Sequence, residues 1–158
     1  MWKKIKPYIL SCLIPLITGG LSALLTMNGM KRYSATAHMP PLSPPMWLFP
    51  IVWSVLYILM GISSALIFEK RDENKAEASA ALKIYGLQLV INFFWSIIFF
   101  NLQNYLCAFI WLILLLFLII IMIFRFYKIS HTAAYLQIPY ALWVAFAGYL
   151  TWTTYMLN

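Results

Sequence analysis

Charge is what this chain has least of. Charged residues make up 9% of its 158 positions and hydrophobic ones 64%, whereas a soluble domain is about a quarter charged. So few charges cannot clothe a water-facing surface, but they suffice where most of the surface meets lipid. Carboxylates are scarcest. There are four, and Glu69, Asp72, Glu73 and Glu77 all fall in or beside one polar stretch. With none inside an apolar run, paired-carboxylate catalysis is excluded, and proton-coupled transport, which usually buries an acid in the membrane, is disfavoured. The two histidines, His38 and His131, fall at opposite ends of the bundle inferred below, so they cannot share a metal. Neither has a Ser or Cys partner at a nucleophile-base spacing. No glycine-rich phosphate loop is present. The two cysteines, Cys12 and Cys107, sit within apolar runs and read as small hydrophobes rather than as a disulfide framework or metal ligands.

What fills the chain is five apolar segments: Tyr8–Met30, Trp47–Phe68, Ala81–Phe100, Tyr105–Tyr127 and Ala133–Leu157. At about 1.5 Å per residue each is long enough to cross a hydrocarbon layer of about 30 Å. None alternates as a barrel strand would. The expectation is an all-α integral membrane protein, one domain over residues 1–158, folded as a bundle of five transmembrane helices. The first segment follows Lys3, Lys4 and Lys6 but is too long for a signal-peptide core, and more membrane span follows it. A loop over residues 31–45 carries Pro40, Pro41, Pro44 and Pro45, which deny it helical structure and stiffen it. The connections at Asn101–Asn104 and Lys128–Thr132 are short enough to make their flanking helices antiparallel neighbours.

The net charge of +7 does not indicate nucleic acid, because the basic residues only flank apolar runs. Nine of the eleven fall on one side: Lys3, Lys4, Lys6, Lys70, Arg71, Lys75, Lys83, Arg125 and Lys128. Lys31 and Arg32 fall on the other. The positive-inside rule then places the amino terminus in the cytoplasm and the carboxyl terminus outside.

Aromatic residues are abundant at 18%, with seven Trp. Trp2, Tyr8, Trp152 and Tyr155 lie near helix ends and suit an interfacial belt. Others lie deeper. Counting about 1.5 Å per residue from the loop side puts Trp53, Trp95 and Trp111 each about 8–10 Å down their helices, with Tyr57 and Asn92 one turn deeper. Trp143 falls near the middle of the last helix, one turn from Ala147. This layer predicts an aromatic pocket under the proline-rich loop. Gln88 and Asn92 must face the interior, either as an interhelical hydrogen bond or as polar groups in a ligand site. Gly19, Gly20 and Ala23 form a small-residue step suited to helix packing or dimerisation, and Pro15 and Pro139 predict bends.

Several of these residues stand in longer patterns. Positions 44–53 read PPMWLFPIVW, followed by Leu56-Tyr57 and Met60-Gly61. Positions 88–100 read QLVINFFWSIIFF and positions 139–147 PYALWVAFA. These strings resemble the PPxWxFxPVW, LYxxMG, QLxLNxxWSxxFF and PYLxWVxFA motifs of the tryptophan-rich sensory protein/translocator protein (TspO/MBR) family, also called peripheral-type benzodiazepine receptors. The match runs in order along nearly the whole chain and suggests a bacterial member in the cell membrane. Four features depart from the family pattern, the first being Ile51 in place of the proline before Val52-Trp53, with Pro50 one place early. The first loop lacks the family's WY pair and KPxW step. The helix 4 motif GWALVD is replaced by Leu106-Cys107-Ala108-Phe109-Ile110-Trp111. No basic residue follows Tyr155, so a sterol motif is poorly supported.

The resemblance implies a five-helix receptor or sensor, a homodimer in form, that binds porphyrins such as protoporphyrin IX and haem precursors. Isoquinoline carboxamides and benzodiazepine-type drugs are further implied ligands. Its implied pocket lining is Tyr33, Pro44, Trp47, Trp53, Tyr57, Asn92, Trp95, Trp143 and Ala147. No metal and no resident cofactor is required; a porphyrin would be ligand or substrate. The alternatives are light- and oxygen-dependent porphyrin breakdown assisted by Trp53 and Trp143, and tetrapyrrole or sterol transport.

Overall fold

The computed structural model describes the backbone of residues 2–158 and side chains from Ile5 onward. Trp2, Lys3 and Lys4, named above for the belt and for orientation, therefore lie outside the described side chains. Helix α1 runs Trp2–Thr36 and α2 Leu48–Glu69, extended by a 3-10 turn at Lys70–Asp72. Helix α3 runs Lys75–Ser96 and passes into a π-helical turn at Ile97–Asn101. Then come α4 at Tyr105–Ile129, a short α5 at His131–Tyr135 and α6 at Ile138–Leu157. Helix α5 and α6 together make the fifth apolar span, and each of the five is long and apolar enough to cross a membrane.

Helix ends follow local chemistry. Helix α1 outlasts its apolar run because 31–36 contains no breaker; it stops before Pro40 and Pro41. The prolines Pro7 and Pro15 lie inside α1 without interrupting it. Helix α3 starts at Lys75, six residues ahead of the apolar stretch, since the Asn74 side chain accepts the Glu77 amide at 3.2 Å and caps a polar first turn. Asn104 caps α4 in the same way through Cys107. The bend expected at Pro139 is a break. The Gln137 amide bonds to Ala134 instead of Ala133, and the freed Ala133 carbonyl takes the Ser63 hydroxyl at 2.6 Å.

Helix α1 packs chiefly on α2 and on the π-turn, while α4 packs on α3 and on α5–α6, as the short connections require. Away from the α1–α2 loop the interior is filled by Met60, Ile67, Leu115, Ile119, Met122, Phe126 and Tyr140, all below 2% exposure. Large apolar side chains such as Leu24, Phe117, Phe124 and Leu142 point outward, which is stable only against lipid.

Candidate functional site

Under the loop the interior is hollow. A cavity of about 310 Å³ lies between α1, α2, α3 with its π-turn, and α6, at the lower end of the roughly 300–1,000 Å³ range of small-molecule sites. Helix α2 supplies the floor. Trp53 stacks on Tyr57, one turn below, with ring centroids 5.5 Å apart and planes 30° off parallel. The Tyr57 ring rests on Gly19, where any side chain would run into it. Its hydroxyl accepts a long 3.4 Å bond from the Asn92 amide. Beneath, Tyr140 meets Trp53 edge-on and donates to Gln88 Oε1 at 2.7 Å. Three helices thus hold the floor rigid through polar contacts made in a low-dielectric interior.

The α3 side of the wall is aromatic. Trp95, Phe99 and Phe100 line it together, and the wide π-turn contributes two of these rings in succession. Tyr33 joins them from α1, edge-on to Phe99 at 5.1 Å, its hydroxyl 3.2 Å from Thr154. The Arg32 guanidinium donates to the Asn101 carbonyl at 2.8 Å, and the Asn101 amide to the Leu25 carbonyl at 3.1 Å. Gly29 permits that approach, since an added methyl would lie 2.6 Å from the Phe100 carbonyl oxygen.

Some of the polar groups that line the cavity are already paired. Thr26 donates to Ser22 of its own helix and Ser22 to the Phe93 carbonyl. Trp95 is 8% exposed, and its indole N–H is buried with no partner among the described residues. A buried donor left unpaired costs stability.

Six of the nine residues expected to line the pocket do so: Tyr33, Pro44, Trp53, Tyr57, Trp95 and Ala147. The other three are placed differently. Asn92 is buried behind Tyr57 and reaches the site only through that hydroxyl. Trp143 packs edge-on behind Phe49, which is the ring that meets the cavity. Trp47 is 65% exposed at the start of α2 and faces away. Trp111, placed in the same layer by depth, donates instead to the Ile91 carbonyl at 2.7 Å and ties α4 to α3. Helix α4 lends nothing to the lining. The small step of α1, read above as packing, does both: Gly19 packs on Tyr57, and Gly19, Gly20 and Ala23 all border the cavity. Sequence reasoning passed over Phe49, Phe99 and Phe100 although all three stand inside the quoted motifs.

Above, the loop is tied down. The His38 amide donates to Asn158 Oδ1 at 2.9 Å, the Asn158 amide returns a bond to the His38 carbonyl at 3.2 Å, and Tyr149 donates to the Pro41 carbonyl at 3.3 Å. Among the described residues no cluster of His, Cys, Asp and Glu could hold a metal ion.

Comparison with known proteins agrees with this architecture. The profile of the TspO/MBR family matches residues 11–157. The chain is 34% identical over 143 residues to the tryptophan-rich protein TspO of Chlorobaculum tepidum, covering 90% of each chain. It is 32% identical over 146 residues to the translocator protein of Bos taurus, covering 92% of this chain and 86% of that one. To the tryptophan-rich sensory protein of Cereibacter sphaeroides it is 25% identical over 157 residues, covering 99% and 92%.

Proposed function

The chain belongs to the TspO/MBR family of membrane proteins, and on that premise we propose that it is a receptor whose cavity binds porphyrins such as protoporphyrin IX. The observation that carries the reading is the cavity wall, where Trp53, Tyr57, Trp95 and Tyr33 present flat faces and edges around one hollow. A planar macrocycle gains both apolar burial and ring stacking there. Anionic propionates fit at the loop end, where Lys31 and Arg32 lie exposed; Arg32 keeps one arm on Asn101. Isoquinoline carboxamides, flat and aromatic, suit the same wall. Homodimer formation belongs to this reading as well, from the family resemblance alone.

The test is a titration of the detergent-solubilised protein with protoporphyrin IX, followed by quenching of tryptophan fluorescence. Saturable quenching is expected, with affinity lowered about tenfold or more by Trp53→Ala, the loss of roughly 1.4 kcal/mol of contact. Equal affinity in the two proteins would remove the cavity from the reading.

A second reading, photo-oxidative porphyrin breakdown with oxygen as oxidant, draws on the Trp53–Tyr57 stack. It puts an oxidisable indole directly against the space a photosensitiser would occupy, while Trp143 stands one ring behind. Loss of the Soret band under illumination and air, slowed by Trp53→Phe, would support it.

The proposed orientation has the amino terminus in the cytoplasm and the cavity in the outer half of the membrane. Cys107 is exposed just past the Asn101–Asn104 connection, at the loop end. A membrane-impermeant maleimide added to intact cells should therefore label it; protection until lysis would reverse the orientation.

A further inference from the structure

The cavity opens sideways between α1 and α2. Six residues both line it and are exposed: Gly20 and Ala23 on α1, Pro50 and Ser54 on α2, and Met39 and Met46 in the loop above; the first four form the edges of a slot between the two helices. Their level follows from the contact of Gly19 with Tyr57. The two helices are antiparallel, so one turn up α1 from Gly19 brings Ala23 opposite Trp53 and Ser54. Gly20 shares its helix face with Ile17 and Leu24, exposed at 56% and 68%, and Ser54 shares one with Ile51 and Ile58. These neighbours are the side chains that meet lipid, so the opening gives onto the hydrocarbon layer and not onto water.

We propose that this slot is a lateral portal, through which flat, lipid-dissolved ligands pass between the bilayer and the cavity. The proposal rests on the receptor reading above and adds the route. Two observations carry it. First, the adjacent glycines differ. A side chain at Gly19 would collide with Tyr57, whereas one at Gly20 would meet nothing within 4 Å. Close packing therefore explains Gly19 and leaves Gly20 unexplained; its missing side chain keeps the gap clear. The slot's one hydroxyl, on Ser54, is already turned onto the Pro50 carbonyl at 2.7 Å, so the edges present little to hold a polar group. Second, the loop above is tied down, although Met39 and Met46 within it are exposed beside the cavity. The loop is stiffened by prolines and fastened to Asn158 and Tyr149 by three hydrogen bonds. A ligand that partitions into membranes meets the side opening first, and at high local concentration.

The experiment uses the whole protein reconstituted in lipid vesicles and stopped-flow quenching of tryptophan fluorescence by protoporphyrin IX already partitioned into the bilayer. Gly20→Leu places a branched side chain in open space at the slot. Association and dissociation should both slow by about tenfold, because a narrowed gate raises the barrier crossed in both directions. Ala23→Val, a milder obstruction, should slow both rates in the same ratio, and serves if the leucine variant folds poorly. Unchanged rates would overturn the portal and leave the receptor reading intact. Faster dissociation with weakened Kd would show that position 20 acts on the bound ligand and not on its passage, and would overturn it too. So would an acceleration of both rates by Asn158→Ala, since passage would then run through the loop. Absence of quenching in the wild-type protein would instead fail the receptor reading itself.

Discussion

Below Tyr57 the bundle is solid, and above it the same helices enclose a cavity. In the lower half α1 comes so close to α2 that Gly61 touches the backbone of Cys12, and Met60, Ile67, Phe126 and Tyr140 fill the interior. In the upper half α1 borders open space at Gly20, and the interior is lined, not filled, by large rings. The lower half is sealed by side chains that interlock; the upper half is held at its rim, by Arg32 on Asn101, Tyr33 on Thr154 and Asn158 on the loop. Indole and phenol rings suit the second task because they are stiff and can wall a space without collapsing into it. A packed end thus provides the stability that lets the other end stay open.

The sharpest way to break this contrast is at the glycines. Gly61→Leu must push α1 off α2 at a backbone contact and should cost about 3 kcal/mol or more, read as lost monodispersity and a lower melting temperature in detergent. Gly20→Ala, in the open half, should be neutral or stabilising by up to about 1 kcal/mol. If both glycines behaved alike, the division into filled and hollow halves would fail. Next in size is Tyr140→Phe, which leaves Gln88 Oε1 buried and unpaired. It should cost about 1–3 kcal/mol of stability while protoporphyrin affinity holds, because the ring against Trp53 is kept. Trp95→Phe should do the reverse. Affinity falls about tenfold, or roughly 1.4 kcal/mol, and the melting temperature stays or rises because an unpaired buried N–H is gone. The smallest effects belong to the tryptophans that do not face the cavity. Trp143→Phe should change affinity less than about twofold, and Trp47→Ala should stay within about 0.5 kcal/mol in stability. A large loss of affinity at Trp143 would extend the site behind Phe49.

The five spans were legible because hydropathy over about 20 residues is a strong signal. Helix ends were less so. Residues 31–36 and 75–80 are polar yet helical, one for want of a breaker and the other through the Asn74 cap, and hydropathy registers neither. Depth along each span put Trp53, Tyr57 and Trp95 at the right level, and all three line the cavity. The same count could not fix the direction in which a side chain points, so it also gathered Trp111 and Trp143, which lie behind other rings. The Phe99–Phe100 pair escaped notice because period-3.6 reasoning assigns successive residues to different faces; only the wider turn puts both on one wall.

That turn has a consequence for which changes in chain length this protein can tolerate. Residues 97–101 carry one residue more than an ordinary helical repeat would use. Removing any single residue there would leave a good helix, and a sequence scan would register no harm. Every group beyond the cut would nevertheless rotate by about 100° about the axis. Asn101 would lose both α1 partners and one phenyl ring would leave the wall. Substitution along this stretch trims individual contacts, whereas a one-codon deletion would disengage α1 from α3 and open the chamber along its length.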